Sequence, residues 1–152
     1  MNQPQFVLQE ARVSGPGRLL LQFADGFRGE VDLTEVIARH PSLARLSEPA
    51  VFRAVALDEW RRGLVFAGDD HLSLASDNLR AMAIEQAGGF PHQKLIEWMA
   101  CHGLSLEAAA EALGLSRRML AYYRSGAKPI PRTVALALRG WEASQAERPR
   151  AA

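Results

Sequence analysis

The first third of the chain alternates between apolar and polar positions. Phe6 to Val13 is rich in strand-forming residues, and Ser14-Gly15-Pro16-Gly17 interrupts it as a turn. Arg18 to Phe23 resumes with Leu19, Leu21 and Phe23 at every second position and Leu20 on the opposite side. A period of two means a strand with one buried face. Asp25-Gly26 then supplies the positive backbone angle of a tight hairpin turn. Phe27 to Asp32 returns with Phe27, Gly29 and Val31 set against Arg28, Glu30 and Asp32. These three segments predict an antiparallel meander.

From Leu33 the pattern shortens. Leu33 to Arg39 predicts one helix with Val36 and Ile37 inward, stopped by Pro41, and Ser42 to Phe52 is a compact stretch punctuated by Pro49. Ala54 to Asp58 and Leu64 to Phe66 predict strands joined across Glu59-Trp60-Arg61-Arg62-Gly63, with Leu72 to Leu74 a further extended piece. Ser76 or Asp77 is expected to cap a helix running to about Gln86. Gly88-Gly89 is the best linker in the chain. The expected organisation is an α+β domain over residues 1–87, a small antiparallel sheet with short helices, followed by an all-α domain over 90–144 and a disordered tail over 145–152.

Beyond the linker the period is helical. Pro91 to His102 places Leu95, Trp98 and Met99 on one face. Ser105 is a good N-cap for a helix whose Leu106, Ala109, Ala110 and Leu113 recur at i, i+3, i+4 and i+7. Gly114 ends that helix where a left-handed residue is needed. Ser116 caps the next, with Leu115 and Leu120 spaced as a hydrophobic staple. Leu120 and Tyr123 then face inward, Arg117, Ala121 and Arg124 lie on the outer face, and Arg118 and Tyr122 stand beside them; Gly126 ends this helix. A last helix is expected from Arg132 to about Ala143, with Val134, Leu138 and Trp141 as its apolar face.

A capped helix carrying short and basic side chains in its N-terminal half suits the major groove of DNA. The spacing of Ala110, Gly114, Leu115, Leu120 and Tyr123 resembles the helix-turn-helix of the phage-repressor family, of Cro/C1 or Xre type. Gly126 to Pro131 and Val134 to Leu138 resemble that family's loop and closing helix. The resemblance covers roughly the last third of the chain. It implies a five-helix repressor-like domain in which Ser116, Arg117, Arg118, Ala121, Tyr122 and Arg124 face the duplex from the recognition helix, and Lys128 and Arg132 flank it. Arginine there suits bidentate pairing with guanine, while Lys128 and Arg132 suit phosphate. One departure is Ser105-Leu106-Glu107, where many members open the helix with glutamine or another phosphate-touching polar residue.

The N-terminal half is similar to a bacterial family known only as a domain of unknown function, number 2442. The matching features are the strand–strand–Asp-Gly–strand run ending Val31-Asp32-Leu33, then Leu46-Ser47-Glu48-Pro49, Phe52, and the Asp77-Asn78-Leu79 helix start. The resemblance implies a small α+β fold and no particular chemistry. The aromatic-glycine run usual after the fifth strand is altered here to Phe66-Ala67-Gly68-Asp69-Asp70-His71.

Charge changes the picture because it is unevenly placed. The chain as a whole has a net charge of +1. Up to Gly88 nine arginines face twelve acids, a balance of −3; from Gly89 onward nine bases face five acids, a balance of +4. The positive charge thus sits with the helical half, as nucleic-acid binding requires. Cys101 is alone, which excludes a disulfide framework within the chain and a thiolate zinc site, and it is expected in the core. Met1-Asn2-Gln3-Pro4 does not resemble a signal peptide and no apolar run is long enough for a membrane span, so a cytoplasmic location is expected.

Candidate chemistry is sparse. Asp69-Asp70-His71 has metal-binding residue types, but adjacent residues rarely converge on one ion, and a polar turn is expected instead. Asp58 and Glu59 read as turn charges rather than an acid–base pair, and His40, His92 and His102 as residues capping helix ends. No nucleophile elbow, phosphate loop or dinucleotide fingerprint is present, so neither an enzyme nor a cofactor is expected. Trp60 is expected as a lid over the small N-terminal core, with an exposed partner anchor as the alternative. The expected function is sequence-specific transcriptional regulation: a bacterial-type homodimer on double-stranded DNA, its N-terminal unit dimerising or binding a protein or small-molecule effector. The alternative is a non-catalytic adaptor, such as the antitoxin-like half of a pair.

Overall fold

Residues 3–147 are described by the structure, a computed structural model. The chain divides into two compact units, Met1–Ala87 and Gly88–Ala152, with the boundary at the Gly88-Gly89 pair. The fold is α+β, with two small antiparallel sheets and several helices.

The first unit opens with a 3-10 turn, Pro4–Phe6, and the strands β1 (Leu8–Gly15), β2 (Arg18–Phe23) and β3 (Arg28–Asp32), hydrogen-bonded in that order. Phe6 is not in the strand as expected, because Pro4 in the first helical turn commits the segment to a 3-10 geometry. The register sets Leu19 opposite Val31 and Leu21 opposite Gly29, so that Leu19, Leu21, Phe23 and Val31 are buried together while Leu20 is exposed. At the hairpin the Phe23 N–H donates to the Phe27 carbonyl at 2.9 Å and the Phe27 N–H to Asp25 Oδ1 at 3.1 Å, around a Gly26 φ of 97°.

After the meander come α1 (Thr34–Arg39), a 3-10 segment (Pro41–Ser47) and α2 (Pro49–Arg53), then β4 (Val55–Leu57), β5 (Gly63–Phe66) and β6 (Asp69–Ala75), and finally α3 (Ser76–Gln86). Strands β4, β5 and β6 form a second antiparallel sheet where a single small sheet was expected. The turn before β6 is Ala67-Gly68, both at positive φ, so Asp69-Asp70-His71 begins a strand instead of forming the turn. Within it, Asp69 pairs with Arg45 at 3.1 Å and accepts the His71 N–H. Neither Ser76 nor Asp77 caps α3. The Ser76 hydroxyl is spent on the Phe6 carbonyl at 2.6 Å, Asp77 accepts from Asn78, and Ala75 occupies the cap position. Apolar residues of both sheets and all three helices share one core, including Leu8, Phe23, Leu33, Ile37, Phe52, Phe66 and Leu79. Beside it Arg80, 6% exposed, donates to both Asp25 oxygens at 3.0 and 2.7 Å and to the Gln5 carbonyl at 2.9 Å.

The second unit consists of α4 (His92–Cys101), α5 (Leu106–Leu113), α6 (Arg117–Ser125) and α7 (Arg132–Glu147), plus one isolated bridge between Phe90 and Ile130. Among the described residues this is four helices, not five. The segment leading to α7 contains Pro129 and Pro131 and is extended at Ile130, so it does not supply another. Leu95, Trp98, Met99, Ala109, Ala110, Leu120, Tyr123, Val134 and Leu138 form the core. Helix α7 runs past the expected end at Ala143 to Glu147, since Ala143 to Glu147 contains no breaker; residues 145–147 are therefore helical, and the remainder of the expected tail lies outside the described residues. Cys101 is exposed, not in the core. It falls off the inward stripe of α4, which is Leu95, Trp98 and Met99. The His102 ring lies edge-on to Trp141 at 4.9 Å, a packing role in place of the side-chain cap expected.

Candidate functional site

The site is built on the turn between α5 and α6. Ser105 Oγ accepts the Ala108 N–H at 3.1 Å and starts α5. Ala109 and Ala110 are the buried members of the expected stripe, short enough for neighbouring helices to approach, while Leu106 and Leu113 are half-buried. Gly114 is left-handed, φ 69°, and the Leu115 N–H reaches back to the Ala110 carbonyl at 2.9 Å. That bond closes the helix end and reverses the chain sharply. Ser116 Oγ then accepts the Met119 N–H at 3.1 Å and starts α6. Leu120 is fully buried and Tyr123 nearly so, which fixes the rotation of α6 about its axis. The opposite side of α6 is consequently turned to solvent.

That side carries the residues expected there. Arg117, Arg118 and Arg124 are exposed, and Ala121 and Tyr122 are half-buried. Arg118 Nε donates to the Tyr122 hydroxyl at 3.2 Å. At the other end Gly126 is left-handed, φ 78°, and the Ala127 and Lys128 N–H groups both bond the Tyr122 carbonyl. This turn carries the Lys128 ammonium over the Tyr122 ring, 4.6 Å from its centre. Arg118, Tyr122 and Lys128 thus form one cluster; the contact of Lys128 with Tyr122 follows from the Gly126 turn and is not legible from spacing. Arg132 opens α7 and is exposed, and no hydrogen bond, ion pair or ring contact joins it to the cluster among the described residues.

The cluster and the cations around it are unneutralised. Among the described residues no carboxylate pairs with Arg117, Arg118, Arg124, Lys128 or Arg132. The hydrogen bond from Arg118, then the charges of Arg118 and Lys128, hold the Tyr122 phenol below its usual range. Five cations and a phenol on one short helix and its flanks are a surface for an extended anion.

No family model matches the chain, and no curated protein matches it. A solved crystal structure does: a Nitrosomonas europaea protein described as "Putative DNA Binding Protein NE0471" is 39% identical, with 99% of this chain and 98% of that one covered and a TM-score of 0.85. The chain belongs to the same family as that protein. The similarity spans both units, so the pairing of an α+β unit with a helical one is common to the two proteins.

Elsewhere the residues weighed for chemistry have structural work. Asp58 Oδ1 accepts the N–H groups of Trp60 and Arg62, at 3.1 and 2.9 Å, and so shapes the turn between β4 and β5. Trp60 on that turn is 76% exposed, so it is not the lid expected over the core. The Asp58 bonds and the left-handed Arg61, φ 56°, hold it outward. No helix among the described residues is long and apolar enough to cross a membrane.

Proposed function

We propose that the protein is a DNA-binding transcriptional regulator that reads duplex sequence through α6, in the manner of repressor-like helix-turn-helix domains. The observation that carries the proposal is the solvent side of α6: Arg117, Arg118 and Arg124, with Lys128 and Arg132 flanking, stand free of carboxylate partners on a helix whose start is capped by Ser116 and whose rotation is fixed by Leu120 and Tyr123. The description of the Nitrosomonas protein as a DNA-binding one supports the same reading. Arg117 and Arg118 would meet base edges near the helix start, Ser116 and Arg132 would meet phosphate with Lys128, and Ala121 would let the groove approach closely. A single such domain reads only a few base pairs, so a homodimer on two half-sites about 34 Å apart is the expected working form. The N-terminal unit then serves dimerisation or binds an effector, and the protein acts in the cytoplasm.

Selection of bound duplexes from a random pool tests this most broadly, because it reports binding and preference together. Enrichment of a two-fold-symmetric sequence, with affinity falling steeply as salt rises, is the expected result. No enrichment, with light scattering showing a monomer with and without duplex, would overturn it. One observation favours a second reading, a non-catalytic adaptor or antitoxin-like binder: the outward Trp60 is the kind of side chain that anchors a protein partner. Stoichiometric co-purification of another polypeptide, lost on Trp60→Ala, would support that reading.

A further inference from the structure

We infer that the N-terminal unit binds a small carboxylic acid with an apolar body in the groove between the β1–β2 turn and helices α1 and α2. The groove encloses about 510 Å³, inside the range of roughly 300–1,000 Å³ typical of ligand pockets. Its apolar wall is Val13, Ile37, Leu46 and Phe52. The last three are nearly buried core residues, so the wall is rigid. On the other side the turn comes close to α1: a side chain at Gly17, whose φ is 68°, would meet the Thr34 hydroxyl at 2.8 Å.

The polar groups of the lining decide the ligand's chemistry. The Thr34 N–H donates to Asp32 Oδ1 at 2.9 Å, and the Ser47 hydroxyl donates to the Ala44 carbonyl at 2.6 Å. The Ser47 hydroxyl proton is therefore committed within the protein. Arg53, at the groove's lip, is different. It is exposed, and among the described residues no carboxylate pairs with it. No lining residue is acidic. An apolar wall with a single uncommitted guanidinium at its edge is complementary to one carboxylate on a hydrocarbon or aromatic body, since such a pair forms charge-assisted, bidentate hydrogen bonds. This deepens the effector reading of the N-terminal unit and rests on it only for its biological use.

The test uses the full-length chain, without DNA, so that its outcome is separate from that of duplex binding by α6. Decanoate and, as a neutral counterpart, decanol are titrated below their aggregation limits while backbone amide signals are followed by NMR. Decanoate should shift Gly15, Gly17, Ala38 and Arg53. Decanol should bind about tenfold more weakly, and Arg53→Gln should weaken decanoate about tenfold without changing decanol. Ala38→Phe, a substitution at an exposed position on the lip, should abolish both while leaving the remaining signals in place. The inference is overturned if decanoate moves none of these amides, if it moves instead those around Leu20 and Gln22, if decanol binds as well as decanoate, or if Ala38→Phe binds like the parent.

Discussion

Arg80→Met is the substitution whose cost follows most directly from the structure. Arg80 joins three parts of the N-terminal unit: it donates to both oxygens of Asp25 in the β2–β3 turn, donates to the Gln5 carbonyl in the opening 3-10 turn, and lies over the Phe23 and Phe27 rings at 5.1 and 4.4 Å. Its side chain is 7% exposed and that of Asp25 23%. Breaking a buried pair costs about 3–5 kcal/mol, because the partner left behind is an unpaired charge. Water can reach Asp25 in part, so the low end, about 3 kcal/mol, is expected. Methionine keeps the apolar contact with the rings but offers no donor. Acid provides the diagnostic. Burial pushes the Asp25 carboxyl up, but the Arg80 hydrogen bond, the Phe27 N–H and the Arg80 charge together outweigh it and hold the group below its usual range. A carboxyl held low in the folded state stabilises above its unfolded pKa, about 3.9, and that contribution is lost as pH falls through the lower folded value. Parent and variant should therefore differ most near neutral pH, and the difference should narrow as pH falls below about 3.9. Removing both partners, Arg80→Met with Asp25→Asn, should cost less than Arg80→Met alone, since no charge is then stranded. Urea unfolding followed at the Leu21 and Val31 amide signals reads this unit separately from the other. An unchanged midpoint, or a difference that stays constant down to about pH 3, refutes the reasoning.

Two further predictions concern α6. The Tyr122 phenol should titrate below the ordinary phenol range when followed by absorbance, and Arg118→Ala should move it back upward by removing the hydrogen bond and one charge; an unmoved titration would mean that the Arg118–Tyr122 contact does not exist in solution. Leu120→Ala should destabilise the second unit by about 2–5 kcal/mol by emptying a fully buried site, and a variant as stable as the parent in urea would mean that Leu120 is not what fixes the helix.

Legibility in the sequence followed the locality of the cause. The meander, the Asp25-Gly26 turn, both serine caps at Ser105 and Ser116 and the glycine ends at Gly114 and Gly126 depend on neighbours a few residues away, and all stand where the pattern places them. What depends on distant residues was not readable. The Ser76 hydroxyl faces the Phe6 carbonyl rather than its own helix, Arg80 meets Asp25 from across the unit, and β4 to β6 pair only with one another, in a sheet of their own. Residue type favours an interior Cys101, whereas the rotation of α4, set by Leu95, Trp98 and Met99, puts it outside. Of the two places open to Trp60, a lid over the core or an exposed anchor, the Asp58 turn holds it in the second, in solvent. At the site, the solvent side of α6 was legible from the inward pair Leu120 and Tyr123, but the seat of Lys128 on Tyr122 needed the path of the chain after Gly126.

Titration of Arg118→Ala and Lys128→Ala against a preferred and a scrambled duplex, at several salt concentrations, tests the central proposal most directly. Base contact and phosphate contact leave different signatures. Arg118→Ala should weaken the preferred duplex by roughly 5- to 150-fold, relax preference at one position and leave the scrambled duplex little changed. Lys128→Ala should weaken both duplexes about equally and reduce the salt dependence by roughly one counterion. If Arg117→Ala and Arg118→Ala both stay folded and bind every duplex as the parent does, α6 does not read DNA, and the proposal is contradicted.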